Sequence, residues 1–160
     1  MAEMDNESKI VIVDDEEMVL TSLQSFLMLE TEWEVTTFLN PEEALEYVKE
    51  NEVELVISDY LMPQMDGISF LGKVREVKPD VIRIILTGYA DKENAIKAIN
   101  EVGLYQYIEK PWDNDDLLII LNNGLEKRRL VRGLEQKIGE INKAYADLQS
   151  IQQEILKTFV

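Results

Sequence analysis

Neither cysteine nor histidine occurs anywhere in the chain. Without thiols there is no disulfide framework, no zinc-thiolate site and no thiol catalysis. Without imidazole the commonest general base and transition-metal ligand is gone, so any chemistry falls to carboxylates, lysines, hydroxyls and the backbone. Long apolar runs are missing too. None approaches the ~20 residues that a membrane-crossing helix needs, and Met1 to Lys9 is acidic and polar rather than a basic stretch leading into an apolar one. A cytoplasmic protein is expected. Basic charge is scarce: 16 Lys and Arg stand against 32 Asp and Glu, a net of −16. The deficit lies in residues 1–124, with 9 basic and 27 acidic side chains for a net of −18, whereas residues 125–160 hold 7 and 5 for a net of +2. So acidic a body repels nucleic acid and anionic membranes, and neither is an expected partner.

What remains is enough for one sizeable core. At 160 residues and 46% hydrophobic composition, one domain with an appendage is the default. Four apolar runs, Ile10–Val13, Leu55–Ile57, Val81–Leu86 and Leu104–Ile108, and a weaker one, Glu34–Phe38, are each followed by polar or turn residues. Continuous runs rich in Val and Ile suit strands covered on both faces, as in a parallel sheet. Helical patterns lie between them. Met18, Leu20, Leu23, Phe26, Leu27 and Leu29 form one stripe; Ala44, Leu45 and Val48 form another, entered by Asn40 as N-cap with Pro41 at the first helical position. Ile68, Leu71 and Val74 before Pro79, then Ala95, Ile96 and Ile99 before Gly103, give two more. The order is β-α five times over, which predicts an α/β doubly wound, five-stranded parallel sheet of flavodoxin-like order 2-1-3-4-5.

In an open sheet of this kind ligands bind beyond the carboxyl ends of the strands. The first run ends in Asp14-Asp15, the third in Ser58-Asp59, the fourth in Thr87-Gly88 and the fifth in Lys110-Pro111. Three carboxylates meeting at one edge repel each other unless a cation neutralises them. With no His or Cys at hand, a hard ion such as Mg²⁺ is the fitting one.

These residues carry a resemblance. Over residues 8–124 the chain is similar to the receiver domain of bacterial two-component response regulators, through Val13-Asp14-Asp15, the run from Asp59 to Gly67 that includes Met62-Pro63, Thr87-Gly88 and Lys110-Pro111. The resemblance implies a phosphorylation-activated switch rather than an enzyme with an external substrate. Asp59 would be the phosphoacceptor, taking a phosphoryl group from a sensor histidine kinase or phosphotransfer protein. Asp14, Asp15, Asp59 and the backbone carbonyl of Leu61 would serve Mg²⁺, with Asp14 acting mostly through water. Lys110 would neutralise the transferring group and Thr87 would hydrogen-bond it. Tyr107 would be the switch aromatic that follows Thr87. Lys110-Pro111 looks like the family's cis peptide. Leu61 and Tyr89, two residues beyond Asp59 and Thr87, would hinder an attacking water and slow self-dephosphorylation. A rival class, the Mg²⁺-dependent phosphatases that use an aspartyl phosphate, places its nucleophile after the first strand with a second Asp two residues on; here the first pair is adjacent and the lone Asp follows the third strand.

Such a domain should occupy residues 9–124, after a disordered start over 1–8. Its last helix, capped by Asp113 or Asn114, does not stop there. No proline follows Pro111, and Gly124, Gly133 and Gly139 are the weak points. Val131, Ile138, Tyr145, Gln152 and Phe159 fall on one heptad position, and Leu134, Ile141, Leu148 and Ile155 on the other, the a and d of a coiled coil. A homodimer through residues 125–160 is expected, by way of a parallel two-stranded coil in which Gln152 weakens one layer. The heptad is unfinished at Val160, and the tail is expected to lead to an output domain.

Overall fold

The computed structural model describes residues 8–158. The start expected to be disordered thus lies outside the described residues except for Ser8, which is buried and whose carbonyl accepts from the Glu34 N–H at 2.9 Å. Phe159 lies outside them as well. Five strands, β1 (Lys9–Val13), β2 (Glu34–Phe38), β3 (Leu55–Asp59), β4 (Ile82–Thr87) and β5 (Gln106–Glu109), alternate with α1 (Glu17–Glu30), α2 (Pro41–Glu50), α3 (Gly67–Val77), α4 (Lys92–Glu101) and α5 (Asn114–Thr158). All neighbours pair in parallel, in the order β2-β1-β3-β4-β5.

The unbroken apolar runs have a direct cause, since both faces of the central strands are covered. Val11, Val13, Val56 and Ile85 enter one core layer with Phe70, Leu71 and Ala95. Their strand neighbours Ile10, Ile12, Ile57 and Ile84 enter the other with Leu23, Leu27 and Leu117. β5 begins two residues later than the apolar run suggested, because Leu104 packs from the preceding turn and Tyr105 ties its N–H to the Arg83 carbonyl at 2.8 Å. The stripe on α1 is also narrower than its spacing implied. Leu20, Leu23 and Leu27 are buried, but Met18 and Leu29 stand open at 85% and 86%. On α4 the inner face is Ala95 and Ala98, whereas Ile96 is exposed.

Local chemistry places the helix ends. Asn40 Oδ1 accepts from the Glu42 N–H at 2.8 Å with Pro41 in the first turn. Asp113 caps α5, its Oδ1 accepting from the N–H groups of Asp115 and Asp116 at 2.9 and 3.1 Å. The chain divides into two compact units after Leu125. Within the second, Val131, Leu134, Ile138, Ile141, Tyr145 and Leu148 are all exposed. No described helix is long and apolar enough to cross a membrane.

Candidate functional site

Parallel pairing brings the carboxyl ends of β1, β3, β4 and β5 to one edge, and the turns beyond them are tied to one another. The Asp14 N–H donates to the Phe38 carbonyl, that of Tyr60 to Leu86 and that of Lys110 to Thr87, at 3.2, 2.9 and 2.9 Å. The Lys110-Pro111 peptide bond is cis. Behind Asp59 the β3–α3 turn closes tightly: the Gly67 N–H donates to the Tyr60 carbonyl at 2.8 Å, and Gly67 lies so near the Asp59 carbonyl that a Cβ there would run into it. Asp66 then starts α3 by accepting from the Ser69 N–H at 2.8 Å.

On this frame Asp14, Asp15 and Asp59 each turn a carboxylate oxygen to one point, all within 4.8 Å of one another. Asp14 is fully buried, Asp59 nearly so, and Asp15 exposed. Lys110 Nζ reaches Asp59 Oδ1 at 3.0 Å and Asp14 Oδ2 at 3.2 Å. Burial pushes the Asp14 carboxyl up to about 6, helped by the Asp59 charge and only partly offset by the Glu16 N–H that it accepts and by Lys110. Burial also raises Asp59, against the opposing pull of the Lys110 hydrogen bond and charge. For Lys110 burial disfavours the ammonium, but the bond to Asp59 and the charges of both acids outweigh it and raise its pKa.

One ammonium offsets one of the three carboxylate charges. Two remain, and the donors are all oxygen, so the set fits a hard divalent cation. The cleft in front, about 320 Å³, is lined by Asp59, Leu61 and Lys110 together with Asp15, Glu16 and Asp91. Glu16 extends the acidic run that follows the first strand, whereas Asp91 went unnoticed in the sequence, because a single acid at a helix start reads as dipole complementation.

Thr87 stands at the same sheet edge, but its hydroxyl is buried and donates to the Gly88 carbonyl at 3.1 Å. Tyr107, two strand positions before Glu109, is half-buried against the α3–α4 side of the core. The Lys92 ammonium lies 6.0 Å from its ring centre and 3.5 Å from Glu109. Leu61 is 60% exposed on the cleft wall, while Tyr89 is exposed outside the lining.

Residues 10–122 match the response regulator receiver domain. The hydrogenase transcriptional regulatory protein HoxA of Cupriavidus necator is 35% identical over 126 residues, 79% of this chain and 26% of that protein. Response regulator Rre1 of Synechocystis is 29% identical over 148 residues, 91% of this chain and 64% of that protein. Among solved structures, the signal receiver domain of an HD domain-containing protein from Pseudomonas fluorescens Pf-5 superposes with a TM-score of 0.76 at 35% identity, covering 83% of this chain and 97% of that one. The chain thus spans about a quarter of the length of HoxA.

Proposed function

The chain belongs to the response regulator receiver domain family, and from that premise we propose that it is a phosphorylation-activated switch with Asp59 as the phosphoacceptor. The observation that carries this is the meeting of Asp14, Asp15 and Asp59 with the Lys110 ammonium at one strand edge. In the reaction an ionised Asp59 oxygen attacks the phosphorus of a phosphohistidine on a sensor kinase or phosphotransfer protein. The P–N bond breaks, an acyl phosphate forms, and the leaving imidazole takes a proton. Mg²⁺, held by Asp14, Asp15, Asp59 and the Leu61 carbonyl, would supply charge neutralisation at the transferring group. Lys110 contributes the remaining positive charge and holds Asp59 in place until the phosphoryl group arrives. Leu61 on the cleft wall hinders water and lengthens the life of the acyl phosphate.

The switch follows from what phosphorylation changes. Thr87 exchanges its bond to the Gly88 carbonyl for one to a phosphoryl oxygen, and Tyr107 follows, which biases one of two arrangements. The altered surface is relayed through α5 to an output domain, and the tail pairs with a second copy as a coiled coil. The chain's own phosphorylation and dephosphorylation are its only turnover.

Acetyl phosphate with Mg²⁺ tests the reading. One phosphoryl group per chain, located on Asp59 by peptide mass spectrometry and lost in Asp59→Asn, is the expected result. A label on another side chain, or phosphate released many times per chain, would overturn it, the latter in favour of a phosphatase.

A further inference from the structure

The seam of the tail carries one polar layer, Gln152 at an a position, and two apolar residues flank it off the seam. Ile151 precedes it at g and Leu156 follows at e, 58% and 64% exposed in a single chain. A solvated helix face has no reason to hold isoleucine and leucine beside its one polar seam residue. In a parallel two-stranded coil a g residue meets the e residue five positions on in its partner. Ile151 and Leu156 are that pair.

Resting on the proposed pairing of the tail, we propose that residues 131–158 join a second copy of this chain in parallel and in register, fixed by a Gln152 layer that Ile151 and the partner's Leu156 enclose on both sides. The two glutamine amides face each other across the seam, each able to donate and accept. The apolar flanks keep water from competing for them, which is where a buried polar pair discriminates between alignments.

Antiparallel pairing loses all of this. It sets a against d and like flanks together, so at the alignment overlapping all four heptads Gln152 meets Leu134, Ile151 meets Lys137 and Leu156 meets Glu135. An amide is then left against a leucine, and both apolar flanks lie on charged ones. The other flanking pairs of the parallel form, Leu130 with Glu135, Lys137 with Asn142 and Ala144 with Gln149, bring no like charges together and no ion pair either. Polarity is therefore decided at the 151–156 end. Gly133 and Gly139 fall at c and b, off the seam, with open space around them.

The absence of native cysteine makes the test clean in the full 160-residue chain. Leu134→Cys and Ile155→Cys, both d positions, should each form a disulfide-linked dimer under mild oxidation. Light scattering that shows a dimer while neither variant crosslinks to itself would overturn the parallel alignment and leave pairing intact; a monomer at every concentration would remove the pairing beneath it. The flank is tested separately by sedimentation of Ile151→Asn, Leu156→Asn and the double variant. Each single change should weaken dimerisation about tenfold or more by exposing its neighbour's apolar surface, and the double should cost less than the two combined. Independent, fully multiplying effects would show that the two side chains do not meet.

Discussion

At Asp14 the fold holds a carboxylate where water cannot reach it, and its pKa of about 6 makes that measurable. An acid whose folded pKa lies above its unfolded value binds more protons when folded. Its contribution is fully present below the unfolded value near 4 and is lost as pH rises through 6. The whole effect is at most about 3 kcal/mol, and the raised pKa of Asp59 acts in the same direction. Without Mg²⁺, Asp14→Asn should therefore gain stability relative to the parent protein as pH rises from 4 to 7, followed by urea unfolding. A difference independent of pH would show that Asp14 is not desolvated. Gly67 offers a second residue-scale test. A Cβ there runs into the Asp59 carbonyl, whereas Gly72, also in α3, has nothing within 4 Å. Gly67→Ala should cost about 1–3 kcal/mol and slow phosphorylation by shifting Asp59, whereas Gly72→Ala should stabilise by up to ~1 kcal/mol. Equal effects on unfolding would mean that the turn is slack. The five residues expected at the strand ends were legible because each type has a use at its place. What the sequence hid was orientation: nothing in it says that the Thr87 hydroxyl turns to the Gly88 carbonyl, or that Gly124, expected to be a weak point, is a close approach where a Cβ would come within 3.0 Å of Ile82.

At the scale of elements, pattern served best where both faces of a strand are covered and worst where one face of a helix is shared with solvent. Runs such as Ile10–Val13 and Leu55–Ile57 need no choice of face, so their positions followed directly. Met18 and Leu29 each stand two residues from a buried leucine, about 200° around α1, and so lie on the face turned away from Leu20, Leu23 and Leu27. The single stripe expected from the apolar residues thus ran two faces of the helix together, of which only the Leu20, Leu23 and Leu27 face packs with the strands. Capping, by contrast, is local chemistry. Asp113 satisfies two N–H groups at the start of α5, the helix that closes one core layer through Leu117 and Leu121. Replacing it with alanine should lower the stability of the body by about 1 kcal/mol, read from the midpoint of thermal unfolding, and Asp113→Ser should recover most of that. No change in Asp113→Ala would mean that packing alone fixes where the helix begins.

For the whole molecule, charge is distributed as the two units are. Residues 1–124 carry a net of −18 and residues 125–160 a net of +2, so the tail can approach its own copy without repulsion while the bodies cannot. If the tail holds two copies together, it does so against the Coulomb repulsion of two strongly acidic bodies. That repulsion is screened over ~10 Å at 0.1 M salt and ~30 Å at 0.01 M, whereas the apolar seam of the tail depends little on ionic strength. Dimerisation should therefore tighten as sodium chloride is raised from about 0.01 to 0.3 M, the reverse of an assembly held by ion pairs. Sedimentation equilibrium across that range decides it. A dimer that weakens with salt would mean that the copies meet through opposite charges, with the basic cluster of Lys127, Arg129 and Arg132 bound to an acidic body rather than a seam of apolar side chains bound to its twin.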